Sequence, residues 1–106
     1  MKTLSLKIKT DDLKLPPNEK EKNLVTDTIE AAFTFYINQS KGVPLKEMRQ
    51  VYKILELIET ASDNVNLEDS QYEFLKDVFC NKVKWAGGIK LVVRIAENIE
   101  NAKDAK

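Results

Sequence analysis

The side chains best suited to chemistry in this sequence lie close together: Lys82, Lys84, Trp85, Lys90 and Arg94, spaced around Gly87-Gly88. Lysine and arginine neutralise phosphates, and an indole stacks on a nucleobase. Lys90 and Arg94, four residues apart, share one face of a helix that starts after the glycines. That start would leave backbone N–H groups open to an anion. The five residues therefore form a candidate nucleic-acid surface. The charge balance argues against it, because 17 basic side chains meet 17 acidic ones and no net field steers the chain toward polyanions. The same residues also read as a solvated basic face on an inter-helix connection, with Trp85 capping a core. Gly87-Gly88 lacks the spacing of a phosphate-binding loop.

Nucleophilic and metal chemistry has little to work with. The chain contains no histidine, which removes Ser-His and Cys-His pairs, histidine metal sites and the commonest general base. Cys80, the single cysteine, falls beside Glu73, Lys76 and Asp77 on the polar side of a predicted helix. Nearby carboxylates disfavour a thiolate, so Cys80 reads as a spectator thiol near the surface. One cysteine cannot close an internal disulfide, in keeping with a reducing cytoplasm. The carboxylates Glu56, Glu59, Asp63, Glu68, Asp69, Glu73 and Asp77 fall on predicted polar faces, with no sign of a buried pair. Residues 62–73 imitate a calcium loop at Asn64, Asn66 and Glu73, but Ser62 stands where aspartate belongs and Leu67 where the sharp turn needs glycine. A non-enzymatic protein with no cofactor, no metal and no small-molecule substrate is expected.

The elements that would carry these residues are mostly helical. Residues 1–106 read as one domain: a strand and link over 1–11, a helical core over 18–101 and a frayed tail over 102–106. Leu4, Leu6 and Ile8 alternate with Ser5, Lys7 and Lys9, the period of a half-buried strand. Thr10-Asp11-Asp12 and Pro16-Pro17 mark a link. Asn18 with Glu21 reads as an N-cap for a helix reaching about Gln39, with Thr26 as a competing cap. Gly42 and Pro44 separate it from a second helix over about 45–61, whose residues Leu45, Met48, Val51, Tyr52, Leu55 and Ile58 are spaced for burial. Ile54 and Leu57 widen that face, so this helix is expected to be the most buried. A third helix opens at Glu68-Asp69 and buries Tyr72, Phe74, Leu75, Val78, Phe79 and Val83; a fourth presents Ile89, Val92, Ile95, Ala96 and Ile99. The fold class is a mostly α, four-helix domain with a short N-terminal strand. That strand pairs either with Val65-Asn66-Leu67 or with another chain. No apolar run approaches the roughly 20 residues of a membrane span, and the start lacks the apolar core of a secretion signal.

Two surfaces suit protein contacts. The first helix carries one apolar stripe at Val25, Ile29, Phe33, Tyr36 and Ile37 and a second, about 120° around, at Leu24, Thr28, Ala31 and Phe35. The second stripe either packs within the fold or, through Leu24, Ala31 and Phe35, meets a protein partner or a second copy. An edge strand with Leu4, Leu6 and Ile8 would dock in the same way, Lys7 and Lys9 limiting uncontrolled pairing. A protein–protein interaction or assembly role, in a homo-oligomer or with a partner, is therefore expected, and a nucleic-acid-associated regulator is the alternative.

Three segments carry a family likeness: Leu4-Ser5-Leu6-Lys7-Ile8-Lys9, Val65-Asn66-Leu67-Glu68-Asp69 and Phe74-Leu75-Lys76. With this layout the chain resembles small proteins encoded by bacteriophage and prophage genomes. They open on a short L-x-L-x-I/L-K strand and carry a V-x-L segment leading into an acidic-capped helix. The resemblance implies an accessory or assembly protein of the host-cell cytoplasm and transfers no functional residues. The Gly42-Val43-Pro44 turn and the Trp85-Ala86-Gly87-Gly88 connection depart from it.

Overall fold

Alternation at the N-terminus produces a strand, and the strand organises the fold. The computed structural model describes residues 1–8 and 21–104. Lys9, the link at 10–12 and 16–17, the Asn18 cap and the end of the tail lie outside the described residues. Strand β1, Lys2–Ser5, pairs antiparallel with β2, Asn64–Leu67, setting Leu4 opposite Val65 and Lys2 opposite Leu67. Of the two alternatives open for this strand, pairing with Val65-Asn66-Leu67 within the chain is the one formed. A third strand, β3, Lys103–Asp104, pairs with Lys2 and Thr3 on the other side, so the sheet order is β2-β1-β3.

This arrangement corrects two expectations. β1 is the middle strand, so it is not an edge available to another chain. Leu4, Leu6 and Ile8 point into the core, with 1%, 1% and 8% of their surface exposed. The tail does not fray at Lys103 and Asp104, because the second edge of β1 gives their backbone a partner and Lys2 Nζ meets an Asp104 oxygen at 2.8 Å.

Helices α1, Glu21–Gln39, and α2, Leu45–Thr60, meet at a turn where Gly42 N–H donates to Ile37 O and Lys41 N–H to Asn38 O. This is a Schellman end, with Lys41 (φ 57°) in the left-handed position usually held by glycine. Thr26 lies within α1, so it does not cap it. Helix α3, Asp69–Asp77, starts at Glu68, whose N–H donates to Gln71 Oε1, and runs into a π turn, Val78–Lys82. Helix α4, Ile89–Glu100, follows Gly88, whose φ of 67° favours glycine.

The core joins Leu4, Leu6, Val65 and Leu67 from the sheet to Val25, Ile29 and Phe33 of α1, with Ile54, Ile58, Leu75, Phe79, Ile95 and Ile99 completing it. Tyr72, buried in α3, donates its hydroxyl to Ile99 O at 2.6 Å and ties α3 to the last turn of α4. α2 is not the most buried helix. Only Val51, Ile54 and Ile58 are enclosed, while Leu45, Met48, Tyr52 and Leu57 stand exposed. The apolar arc of α2 is wider than the face that meets α1, α3 and β2. Ile89, expected in the core, is 78% exposed because the first turn of α4 projects beyond the elements it packs on.

Candidate docking groove

Trp85 is placed by an irregularity in the helix before it. In the π turn the Val83 N–H donates to Val78 O at 3.1 Å instead of to Phe79 O, as an α-helix would have it. The freed Phe79 carbonyl accepts the Trp85 indole N–H at 3.2 Å. Gln39, at the end of α1, clamps the neighbouring residue from both sides: Lys84 N–H donates to Gln39 Oε1 at 3.3 Å, and Gln39 Nε2 donates to Lys84 O at 3.4 Å. The indole then lies 5.0 Å from the Phe79 ring and 5.9 Å, edge-on, from Phe35. Two hydrogen-bonded anchors and two aromatic contacts fix the Trp85 connection against the end of α1.

α4 packs chiefly on α3 and β1 rather than along α1, and a groove of about 380 Å³ opens between them. One wall is the second stripe of α1, Leu24, Thr28, Ala31 and Phe35; the floor and far wall are the Trp85-Ala86-Gly87-Gly88 connection with Leu91 and Val92. Thr28 spends its hydroxyl on Leu24 O at 2.7 Å, so the lining is apolar apart from Asp27 at the rim. A second hollow of about 380 Å³ shares Trp85, Ala86, Gly87 and Val92 and adds Ile89 and Val93. Phe35, Ile89 and Val93 are 41%, 78% and 47% exposed. Hollows of this size and lining take ligand side chains.

The structure thus joins two readings that the sequence kept apart: the α1 stripe Leu24, Ala31 and Phe35 faces Trp85 across one groove. It does not join the whole basic set. Lys82, Lys84 and Lys90 are exposed, whereas Arg94 lines a different hollow with Lys7, Ile8, Glu97 and Asn98. The Trp85 ring is half-buried beside Phe79 and Phe35 and faces the apolar groove, not the exposed lysines. Sequence reasoning missed Leu91, Val93 and the anchoring Gln39. Leu91 and Val93 had a signal in the apolar breadth of α4, but Gln39 had none.

The remaining candidate groups sit elsewhere. Cys80 is half-buried against the core, and burial pushes its thiol pKa up, reinforced by the Glu100 carboxyl. The carboxylate that matters is therefore Glu100 on α4, not the sequence neighbours Glu73 and Asp77. Tyr36 is likewise raised, by burial and then by Glu47, to which its hydroxyl donates at 3.4 Å. Residues 64–67, within the calcium-like stretch, are strand β2, where Asn66 Oδ1 accepts the Thr3 hydroxyl. No cluster of three or more metal-ligating side chains occurs among the described residues, and no described helix is long and apolar enough to cross a membrane. Comparison with protein-family models, with curated proteins and with solved structures gives no match for this chain.

Proposed function

We propose that this is a non-enzymatic protein-interaction module whose α1–α4 groove receives an amphipathic helix of a partner protein. The observation that carries the reading is the pair Phe35 and Trp85 lining an apolar groove, the indole backed by buried Phe79 and bonded to its carbonyl, next to Lys84 clamped by Gln39. Rigid aromatic anchors in a preformed hollow are where interfaces concentrate binding energy. The α1 wall, from Leu24 to Phe35, runs about 16 Å at 1.5 Å per residue, which matches three helical turns of an occupant. Such an occupant would seat apolar residues at i, i+3 or i+4, and i+7. The resemblance to phage and prophage proteins favours an accessory or assembly role of this kind in the host cytoplasm.

Trp85 is the only tryptophan, so its fluorescence reports on the groove directly. Helical peptides selected from a random display library are expected to carry apolar anchors at that spacing and to shift Trp85 emission to the blue. Ala31→Glu and Phe35→Ser should each weaken them by about tenfold or more, the scale of a single interface anchor. Peptides that bind both variants as well as the native chain would overturn the reading. So would salt-dependent DNA or RNA binding that Lys90→Glu with Arg94→Glu abolishes.

A further inference from the structure

The outer flank of α2 is apolar and stands away from the groove. Leu45, Met48 and Tyr52 are 63%, 40% and 68% exposed, and half-buried Leu55 continues them. Their spacing of three, four and three residues is that of a coiled-coil seam, distinct from the inward face of Val51, Ile54 and Ile58. Isolated surface hydrophobics are ordinary, but a row along one helix flank marks a contact surface. The charges beside the seam are sorted along the helix: Lys46, Arg49 and Lys53 precede Glu56 and Glu59, while Glu47 accepts the Tyr36 hydroxyl. Among the described residues, Arg49, Lys53 and Glu56 form no ion pair.

We infer that α2 is a self-association face on which a second copy of this chain packs its own α2 antiparallel, through Met48, Tyr52 and Leu55. The charge order selects both the occupant and its direction. A second copy running antiparallel sets the basic half of one helix against the acidic half of the other, whereas a parallel copy sets like against like. With the two-fold axis beside Tyr52, the two Tyr52 rings meet across it. Met48 then meets Leu55 of the second copy, and Arg49 faces Glu56 of the second copy on the solvent side. The Met48–Leu55 and Arg49–Glu56 contacts each occur twice and the Tyr52 pair once, on the axis, as an isologous interface requires. A seam of this length buries little area, so the dimer is weak and concentration-dependent.

Sedimentation equilibrium of the full chain from micromolar to millimolar concentration tests this. A monomer–dimer equilibrium is expected, and Tyr52→Asp should raise its Kd by about tenfold or more. Arg49→Glu and Glu56→Arg should each weaken it, and the double exchange should restore it to within about twofold of the native value. Tyr52, Arg49 and Glu56 are exposed, so each variant is expected to stay folded, which circular dichroism checks. A chain that remains monomeric at millimolar concentration overturns the inference, as does a dimer indifferent to Tyr52→Asp or a double exchange that restores nothing.

Discussion

Leu4, Leu6 and Ile8, on β1 and the residues just after it, and Leu24, Ala31 and Phe35 on α1 are equally regular apolar rows, yet one is sealed and the other lines an open groove. β1 has a strand on each side, and its apolar side chains enter the common core. The α1 row faces α4 across a gap, because Gln39 and the π turn hold the Trp85 connection at one end and α4 packs elsewhere. Periodicity therefore states which face of an element is apolar. Whether that face is covered depends on where the next connection is anchored.

The sharpest way to break this comparison is to damage the sealed row. Leu4→Ala removes a side chain that is 1% exposed and leaves a cavity beneath the sheet. The expected loss is about 2–5 kcal/mol of unfolding free energy, read by urea denaturation, with Trp85 emission in the folded baseline unchanged. A loss well below that would mean that β1 is less integral to the core than its burial indicates. The groove should respond more weakly. Trp85→Phe leaves the Phe79 carbonyl without its indole donor at a half-buried position, for a loss of about 1 kcal/mol. Its larger effect should be on peptide binding. If stability falls as far as in Leu4→Ala, the Trp85 connection is core rather than groove floor.

What was legible follows the same division. The in-chain candidate for pairing with β1 could be read because Val65-Asn66-Leu67 is the only other alternating segment, but the choice between it and another chain could not; the ends of α2 could be read because Pro44 and Ser62-Asp63-Asn64 punctuate the chain. β3 could not be read. Lys103 and Asp104 are two polar residues with no strand pattern, and they extend only because β1 offers a free edge. Both halves of the groove were visible, Leu24, Ala31 and Phe35 in one place and Trp85 in another. Their union depends on a π turn that has no periodic signature and on a glutamine that looks like any other surface residue. The exposed seam of α2 was misread as core because a helical wheel gives the width of an apolar arc and not the number of neighbours it meets.

The smallest expected effect concerns how firmly the sealed strand is closed on its β3 side. The Asp104 carboxyl lies below its ordinary pKa because Lys2 hydrogen-bonds to it and then because of the charge on Lys2; the Lys2 ammonium is raised, first by the same hydrogen bond. A lowered carboxylate stabilises the fold above its unfolded pKa of about 4, and this contribution disappears as pH falls through the lowered value. A raised ammonium stabilises below its unfolded pKa of about 10.4 and loses that as pH rises through the raised value. The β1–β3 edge should therefore be tightest between those limits. Asp104 is exposed and Lys2 only half-buried, so global stability should scarcely respond. The effect should instead be local: Asp104→Asn is expected to speed amide exchange at Thr3 and Lys103, the β1–β3 pair, and to leave Val65 and Leu67 of β2 protected. Equal loss of protection in β2 would show that β3 is required for the whole sheet, and would make the tail part of the seal.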